Sequence, residues 1–312
     1  MTAILVAGGA GYVGSHVARA LARAGFLPVT LDDLSAGHRD FVKWGPLIRA
    51  GVDDAAAIDA AVAAHRIEGC VLLAGSIEVG RSVREPLAFW RNNVAAPLTL
   101  LERLAAARIG AIVFSSTAAV YGAPETVPIP EDHPLRPANP YGETKLALER
   151  MLAANHAAGG PAWMALRYFN AAGAAWEDGI GEAHDPETHL IPLACLAALG
   201  AAPALSVMGG DYDTPDGTAI RDYVHVEDLA LAHVAALRAC LAGRSGAYNL
   251  GTGTGNSVRA VIRAVEAASG RGVPHKIAPR RPGDVARLVA DPARAGTEHG
   301  WHAARDLAAI VD

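Results

Sequence analysis

The fold is decided by the stretch Gly8-Gly9-Ala10-Gly11-Tyr12-Val13-Gly14, which directly follows an apolar run at Ala3–Ala7. Its glycines at Gly8, Gly11 and Gly14 lie three residues apart. In such a pattern one glycine permits a tight turn, one lets the backbone approach a pyrophosphate, and one allows close packing of helix on strand. Because the stretch follows a predicted strand and opens a predicted helix, it indicates a dinucleotide site with phosphates at the helix N-terminus.

A second part of this site is expected where the next predicted strand, Leu27–Leu31, runs into Asp32 and Asp33. A carboxylate at this distance from the glycine turn meets the hydroxyls of the adenosine ribose. Two adjacent negative charges also repel a 2′-phosphate, which favours NAD over NADP. Asp33 is either a second cofactor contact or a solvated turn residue.

Short apolar runs alternate with alanine-rich helical stretches up to Gly173, and loops rich in Gly, Asp and Pro follow. Continuous apolar strands in a βαβ series are typical of a parallel sheet covered on both faces. We predict an α/β fold: a Rossmann-type doubly wound parallel sheet at 1–173, a return to it around 219–240, and a smaller C-terminal α/β substrate lobe at 174–312. The predicted strands are 3–7, 27–31, 69–74, 111–115 and 162–169, and helices are predicted from Tyr12, after Asp54, near Asn93 and from Tyr141.

Composition narrows the class of partner. The 312 residues carry a net charge of −5, and no run of like charge stands out, so neither nucleic acid nor an anionic membrane is expected as a partner. The cysteines Cys70, Cys195 and Cys240 are far apart and lack C-x-x-C spacing, so no metal site is expected. Since no apolar segment approaches membrane-spanning length, we expect a cytoplasmic enzyme that acts on small molecules.

A second motif, Tyr141-Gly142-Glu143-Thr144-Lys145, places a phenol and an ammonium on one face of a predicted helix. A free phenol has a pKa of about 10, and lowering it to neutrality takes on the order of 4 kcal/mol. One cation about 4 Å away supplies roughly that amount at an effective dielectric constant of about 20. Lys145 and the positive ring of an oxidised nicotinamide are therefore predicted to make Tyr141 a base for a sugar or alcohol hydroxyl. The alternative is an ordinary amphipathic helix, against which the glycine turn and the preceding Ser115-Ser116-Thr117 weigh.

Together these motifs resemble the extended short-chain dehydrogenase/reductase family, and within it the NAD-dependent epimerases and dehydratases of nucleotide sugars. The likeness covers nearly the whole chain. The segments that carry it are residues 8–16, 92–94, 115–122, 140–145, 166–170, 216–226 and 279–284.

The resemblance implies a role for each matching position. Tyr141 is the catalytic base, Lys145 its electrostatic partner, and Thr117 the hydroxyl that bridges to the sugar O4. The implied cofactor contacts are Gly8, Gly11, Tyr12, Val13, Gly14, Asp32, Asp33, Ala74, Gly75, Asn93, Ser115, Tyr141, Lys145 and Tyr168. The implied substrate contacts are Thr117 and Tyr141 at the sugar and, at the uridine diphosphate, Asn170, His189, Leu190, Arg221, Tyr223, Arg281 and Asp284. Arginine forks suit a diphosphate.

The activity implied by the resemblance is the reversible interconversion of UDP-galactose and UDP-glucose through a 4-keto intermediate, with transient hydride transfer to bound NAD. A homodimer is implied as well, with the helices near Asn93 and Tyr141 pairing across a two-fold axis. Relative to that family the sequence stops at Asp312, about one helix early, which predicts less packing at this end.

Three alternatives stay open. A nucleotide-sugar dehydratase would carry an Asp-Glu pair after Thr117, where this chain has Ala118-Ala119, which argues against elimination of water. Another epimerase, acting on UDP-N-acetylhexosamines or on UDP-pentoses or uronates, is open because Leu288 occupies the position that restricts the sugar in relatives. A non-catalytic NAD-sensing regulator is the alternative outside enzymes. The retained pair of Tyr141 and Lys145 weighs against it.

Overall fold

The computed structural model describes residues 1–281 and 283–312, so Pro282 of the 279–284 segment lies outside the described residues. The strands are β1 (Ala3–Ala7), β2 (Leu27–Leu31), β3 (Leu47–Ile48), β4 (Ile67–Leu72), β5 (Ala111–Thr117), β6 (Ala162–Tyr168), β7 (Asn170–Ala172), β8 (Leu205–Met208), β9 (Ile220–Arg221), β10 (Tyr223–His225), β11 (Gly246–Leu250), β12 (Asn256–Ser257), β13 (His275–Ala278) and β14 (Arg287–Leu288). The α-helices are α1 (Tyr12–Arg23), α2 (Ala55–His65), α3 (Val79–Arg84), α4 (Pro86–Trp90), α5 (Ala96–Ala106), α6 (Pro140–Ala157), α7 (Leu190–Ala198), α8 (Val226–Leu241), α9 (Val258–Ser269), α10 (Ala293–His299) and α11 (Leu307–Val311). Within the described ranges, no helix is long and apolar enough to cross a membrane.

The main sheet has seven parallel strands in the order β11-β6-β5-β4-β1-β2-β3. Successive side chains of a strand point to opposite faces. Ile4 and Val6 therefore join one buried core while Leu5 and Ala7 join the other. A sheet buried on both faces explains why its strands read as mostly apolar runs rather than alternating ones. The predicted doubly wound α/β fold is confirmed.

The order of the strands locates the ligand crevice. From β1 the chain moves to β2 and β3 on one side, whereas β4, β5 and β6 follow on the other. In open parallel sheets ligands bind at this switch point, outside the carboxyl ends of the strands. Here the amides of Leu73 and Ala74, just after β4, donate to the carbonyl of Ala7 at 2.8 and 3.0 Å. The loops after β1 and β4 therefore lie side by side at the crevice.

Short sheets follow the main sheet along the chain: β10 with β7, β13 with β8, and β12-β9-β14. Helices α7 and α9 pack with β8 around a separate small core that includes Ala194, Val207 and Ile262. Helix α8 packs against α1 and β5, and β11 then joins the edge of the main sheet, so the return extends beyond the predicted 219–240. The division into two lobes at residue 173 stays a prediction.

Two local differences from the predicted elements have physical causes. The strand predicted at 69–74 runs instead over Ile67–Leu72, because the pairing shifts register at exposed Glu68 and this polar residue hides the start of the strand. The helix predicted near Asn93 opens as a π-helical stretch, Arg91–Ala95, before α5. Single π turns occur frequently at functional sites because they redirect a side chain.

Candidate active site

The three glycines of the first turn have different surroundings that match their predicted tasks. Gly8 has φ +85° and packs so closely that a Cβ would lie 2.6 Å from the Ala74 nitrogen. A Cβ on Gly14 would lie 2.0 Å from the Gly8 carbonyl oxygen, so this glycine lets α1 pack against the turn. A Cβ on Gly11 would meet nothing closer than 3.5 Å. The open space at Gly11 is what a backbone approached by a pyrophosphate requires.

Helix α1 begins without a side-chain cap. Its N-cap is Gly11 and its first turn contains no acidic residue, whereas α2, α6 and α9 are capped by Asp54, Asn139 and Ser257. The first amides of a helix have no partner within the helix. At α1 the amides at Tyr12 and Val13 therefore remain available to an anion, and the helix dipole favours one. These features fit the pyrophosphate of NAD.

Asp32 lies beside this turn. Its two carboxylate oxygens accept the amides of Ala10 and Leu34, each at 2.9 Å, and burial raises the pKa of the carboxyl. Each oxygen keeps a lone pair that a ribose hydroxyl can use. Asp33, in contrast, is exposed and accepts the Ser35 amide at 2.8 Å. The structure therefore favours the solvated-turn alternative for Asp33, and its cofactor contact stays a prediction.

Asn93 joins three parts of the crevice. Its Oδ1 accepts the Ser76 amide at 2.7 Å, and its Nδ2 donates to the Ser76 carbonyl at 2.9 Å and to Thr144 on α6 at 3.2 Å. A Cβ on Gly75, whose φ is +155°, would lie 3.1 Å from the Asn93 Oδ1. Asn93 thus fixes the loop after β4 against the helix that carries the predicted catalytic pair.

Thr117, Tyr141 and Lys145 meet at the carboxyl end of β5. Burial raises the pKa of Tyr141, and a hydrogen bond with Thr117 lowers it. Lys145 is buried, its ammonium lies 6.0 Å from the centre of the Tyr141 ring, and burial lowers its pKa to about 8. In the cofactor-free chain the Tyr141 phenol is therefore protonated at neutral pH. The phenolate is predicted only for the chain that holds oxidised cofactor. The depressed pKa stays a prediction.

The Lys145 ammonium has unused donors. It donates to the Ser115 carbonyl at 2.9 Å, and no carboxylate in 1–281 or 283–312 pairs with it. An ammonium has three donors, so two remain for the hydroxyls of a nicotinamide ribose. The Ser115 hydroxyl is hydrogen-bonded to Tyr168, and burial raises the pKa of that phenol. Ser115, Lys145 and Tyr168 therefore form one group beside Tyr141.

A buried ion pair fixes this group from behind. Arg167 on β6 donates to the Glu149 carboxylate on α6 at 2.6 Å, and both side chains are about 5% exposed or less. Arg167 also donates to the Tyr121 phenol at 3.0 Å, and this phenol donates to Asn249 at 2.7 Å. The pair sets the position of α6, and with it the position of Tyr141.

A cavity of about 730 Å³ opens beside this edge of the sheet. It brings together all seven residues predicted at the uridine diphosphate: Asn170, His189, Leu190, Arg221, Tyr223, Arg281 and Asp284. Thr117 and Tyr141 do not line this cavity. Tyr168 connects them to it, because the pKa of its phenol is also raised by Tyr141 and it lies two residues before the cavity residue Asn170. Helix α7 starts in the cavity wall without a side-chain cap, which provides a second helix N-terminus for an anion.

Arg221 is held in a fixed position within this wall. Its Nη1 donates to the carbonyls of Ile220 and Val285 at 2.9 Å, and its Nη2 lies 3.4 Å from the Asp284 carboxylate. Its side chain is 15% exposed, so the charge is only partly solvated. Burial raises the pKa of neighbouring Tyr223 to about 12, so its phenol remains a neutral hydrogen-bond donor.

Sequence reasoning missed a group of carboxylates beside Tyr12. The Tyr12 phenol donates to the Gly173 carbonyl at 2.6 Å, and its pKa is raised by burial and by Glu182 and Glu187. The sequence does signal this group, because residues 182–189 contain two glutamates and two histidines. Of these four residues only His189 is among the predicted site residues.

The fold and site define a class: a dinucleotide-dependent enzyme of the short-chain dehydrogenase/reductase type, with a half-buried tyrosine and a buried lysine on one helix near a nucleotide-sized cavity. Comparison with known proteins narrows the class. The model of the NAD dependent epimerase/dehydratase family matches residues 4–251, and the chain belongs to this family.

Several relatives cover almost all of the chain. A protein of Rhizobium leguminosarum bv. trifolii named UDP-glucose 4-epimerase is 48% identical over 309 residues, covering 99% of this chain and 94% of its own. The crystal structure of UDP-glucose 4-epimerase from Brucella ovis in complex with NAD superposes with a TM-score of 0.97 at 44% identity, covering 100% of this chain and 96% of its own. That of the Bifidobacterium longum UDP-glucose 4-epimerase with NAD⁺ and UDP gives 0.94 at 36%, covering 99% and 96%.

Proposed function

We propose that this chain interconverts UDP-galactose and UDP-glucose by reversible oxidation at C4 of the sugar, with NAD as its resident cofactor. The observation that carries the proposal is the meeting of Thr117, Tyr141 and Lys145 at the end of β5, next to the cavity. The family, and relatives of that name at nearly full coverage, support it.

Each protein group has a distinct task in this reaction. When bound, NAD would supply a reversible hydride acceptor for the carbon that carries the 4-hydroxyl. Tyr141 Oη takes the proton of the 4-hydroxyl and later gives it back, while the Thr117 hydroxyl links the phenol to that oxygen. The Lys145 ammonium favours the deprotonated phenol, and the apolar surroundings that cause its own lowered pKa strengthen this attraction.

The nucleotide half of the substrate is held while the sugar is free to turn. Arg221 and Arg281 provide positive charge for the diphosphate, and the uncapped start of α7 adds backbone amides. Inversion at C4 requires the 4-ketose to present its other face to the cofactor. Binding energy placed on the nucleotide permits that turn, because it does not fix the sugar in one orientation.

The choice between UDP-hexoses and their N-acetylated forms is proposed to depend on the surroundings of Leu288. This residue pairs with Arg221 in the β9–β14 register and packs on an apolar cluster containing Val120 and Tyr121. It is partly exposed and does not line the cavity, so its role in admitting a substituent at C2 rests on the resemblance. UDP-N-acetylhexosamines are the alternative substrates, and a panel of UDP-sugars resolved by anion-exchange chromatography distinguishes them.

Tyr141→Phe tests the proposal. The variant keeps the ring but removes the proton acceptor, so kcat for UDP-galactose is expected to fall by about 10²–10⁴ while NAD remains bound. A matched control is Tyr121→Phe, which removes a buried phenol that bonds to Asn249 and Arg167 behind the site. The control should lose about 1–3 kcal/mol of stability and retain most of its kcat. A Tyr141→Phe enzyme with near-normal kcat would refute the assignment.

A homodimer is proposed on the surface next to α6. Val83, Leu87, Trp90 and Leu98 on the adjoining helices α3, α4 and α5 are 63%, 79%, 40% and 42% exposed, and apolar side chains grouped on one surface indicate a contact site. This proposed contact takes in α3 and α4 as well as α5, the helix predicted near Asn93, and adjoins α6, the helix predicted from Tyr141. Leu87→Asp should shift the protein to the monomer in sedimentation velocity, with Leu231→Asp, on the outer face of α8, as control. A cytoplasmic location stays a prediction.

A further inference from the structure

The loop that leads into α7 carries four metal-ligand side chains outside the predicted catalytic group, of which one, His189, is also predicted at the uridine diphosphate. Glu182, His184, Glu187 and His189, called here the Glu/His cluster, offer ligand atoms that all lie within 4.8 Å of one another. His189 Nδ1 is 2.7 Å from a Glu187 oxygen and 3.7 Å from a Glu182 oxygen, and His184 Nδ1 contacts the other oxygen of Glu182. The two imidazole rings are 5.2 Å apart.

We propose that the Glu/His cluster binds one divalent transition-metal ion, with Zn²⁺ as the representative ion. Two imidazoles and two carboxylates form a complete tetrahedral donor set for zinc. With metal–ligand distances of 2.0–2.2 Å, the ligand atoms of such a site are about 3.4 Å apart. The separations of 2.7 and 3.7 Å bracket this value, so small side-chain rotations complete the site.

Charge supports the same conclusion. The Glu182 and Glu187 side chains are only 11% and 13% exposed, and across residues 1–281 and 283–312 their ion pairs are with the two histidines alone. No arginine or lysine pairs with either carboxylate in that part of the chain. Buried carboxylates are normally paired with a cation or bound to a metal, and a histidine is a cation only when it is protonated. A divalent ion would neutralise both.

The ligands are already oriented by the loop. Glu182 accepts the amides of Ala183 and His184 at 3.0 and 3.3 Å, and Glu187 accepts those of Thr188 and His189, both at 2.6 Å. Hydrogen bonds of this kind fix ligating carboxylates in metal sites. Because all four ligands lie within one short loop, little chain entropy is lost on closing the site.

The site would have a structural role. Four protein ligands leave no open position, which is typical of structural rather than catalytic zinc. The loop bridges two regions: its Ala183 carbonyl contacts the His38 ring at 2.9 Å near the dinucleotide turn, and its end at His189 lines the cavity. A bound ion would fix the loop between the dinucleotide turn and the cavity. The cysteines of the sequence give no sign of this ion, because they lack metal-ligand spacing.

The proposal is tested by isothermal titration calorimetry on the full chain. The purified protein is first dialysed against EDTA and then against metal-free buffer. Titration with ZnCl₂ should reveal one site that MgCl₂ does not fill, because imidazole ligands select zinc over magnesium. His184→Ala and Glu187→Gln should each weaken that site about tenfold or more. His275→Ala, which removes an exposed histidine on β13, should leave it unchanged.

Thermal melting gives an independent measurement. One equivalent of ZnCl₂ should raise the Tm of the parent protein and of His275→Ala but not that of His184→Ala. Melting of the metal-free variants shows whether they fold, and Glu187→Gln carries the comparison if His184→Ala does not. The proposal is overturned if the parent protein binds no zinc, or if both cluster variants bind it as the parent does.

Discussion

Replacing Lys145 by methionine is expected to stabilise the cofactor-free chain at neutral pH while removing a charge that the proposed reaction uses. Lys145 is 2% exposed, and burial lowers its pKa from 10.5 to about 8. One pKa unit corresponds to about 1.4 kcal/mol, so keeping this ammonium charged in the folded state costs about 3 kcal/mol. Methionine loses the hydrogen bond to the Ser115 carbonyl, which leaves a net gain of about 2 kcal/mol.

The gain should depend on pH with a definite sign. In the unfolded chain Lys145 remains protonated up to its ordinary pKa of 10.5, whereas in the folded chain it loses its proton near pH 8. The unfolded state therefore binds more protons between these values, and the stability of the parent protein rises with pH there. The cost of the buried charge is complete below pH 8 and is lost by pH 10.5, so the advantage of methionine shrinks across this window.

Urea unfolding of the NAD-free parent and Lys145→Met proteins at pH 7 and pH 10 measures the difference by linear extrapolation. Lys276→Met, at an exposed lysine on β13, is the control and should change stability by less than about 0.5 kcal/mol at either pH. The reasoning is refuted if Lys145→Met is less stable than the parent at pH 7, or if its stability difference is the same at both pH values.

Two further predictions concern binding. Gly14→Ala should fail to fold or lose several kcal/mol, since its Cβ would lie 2.0 Å from the Gly8 oxygen, whereas Gly11→Ala should fold normally and retain NAD poorly. Chemical denaturation and the ratio of bound nucleotide to protein separate these effects, and normal NAD content in Gly11→Ala would count against the pyrophosphate assignment. Arg221→Ala should raise KM for UDP-galactose about tenfold or more with a smaller change in kcat, because its contact is made equally in ground and transition states. Arg103→Ala, which removes an exposed ion pair with Asp59, serves as the kinetic control, and an unchanged KM in Arg221→Ala would argue against a diphosphate contact.

Sequence predicts the main sheet well because its strands carry a strong signal. Strand β1 is an unbroken apolar run that ends at the glycine turn, and β2 is apolar except for Thr30 and ends at Asp32, so the sequence predicts both with their observed bounds. The bounds predicted for β4 begin two residues too late, because Glu68 interrupts the apolar pattern where the register changes. The strands from β7 onward are two to five residues long, too short for periodicity to separate them from loops.

The candidate site likewise has features that the sequence predicts and features that it does not. The roles of Gly8 and Gly14 follow from local backbone geometry, which a short motif encodes directly. The contact of Asn93 with Ser76 depends on a π-helical stretch whose position is set by packing, so spacing alone does not reveal it. The Glu/His cluster depends on a loop conformation that carries no recognised motif.

The carboxylate of Asp32 also constrains how cofactor preference can change. It holds the amides of Ala10 and Leu34 as well as facing the expected ribose position, and a Cβ on Gly37 would lie 2.9 Å from its Oδ1. A substitution that makes room for a 2′-phosphate would therefore release two loop amides and loosen the turn that binds the pyrophosphate. Conversion to NADP use should thus require coordinated changes in two loops, which makes the choice of NAD a property of the folded crevice and difficult to reverse one residue at a time.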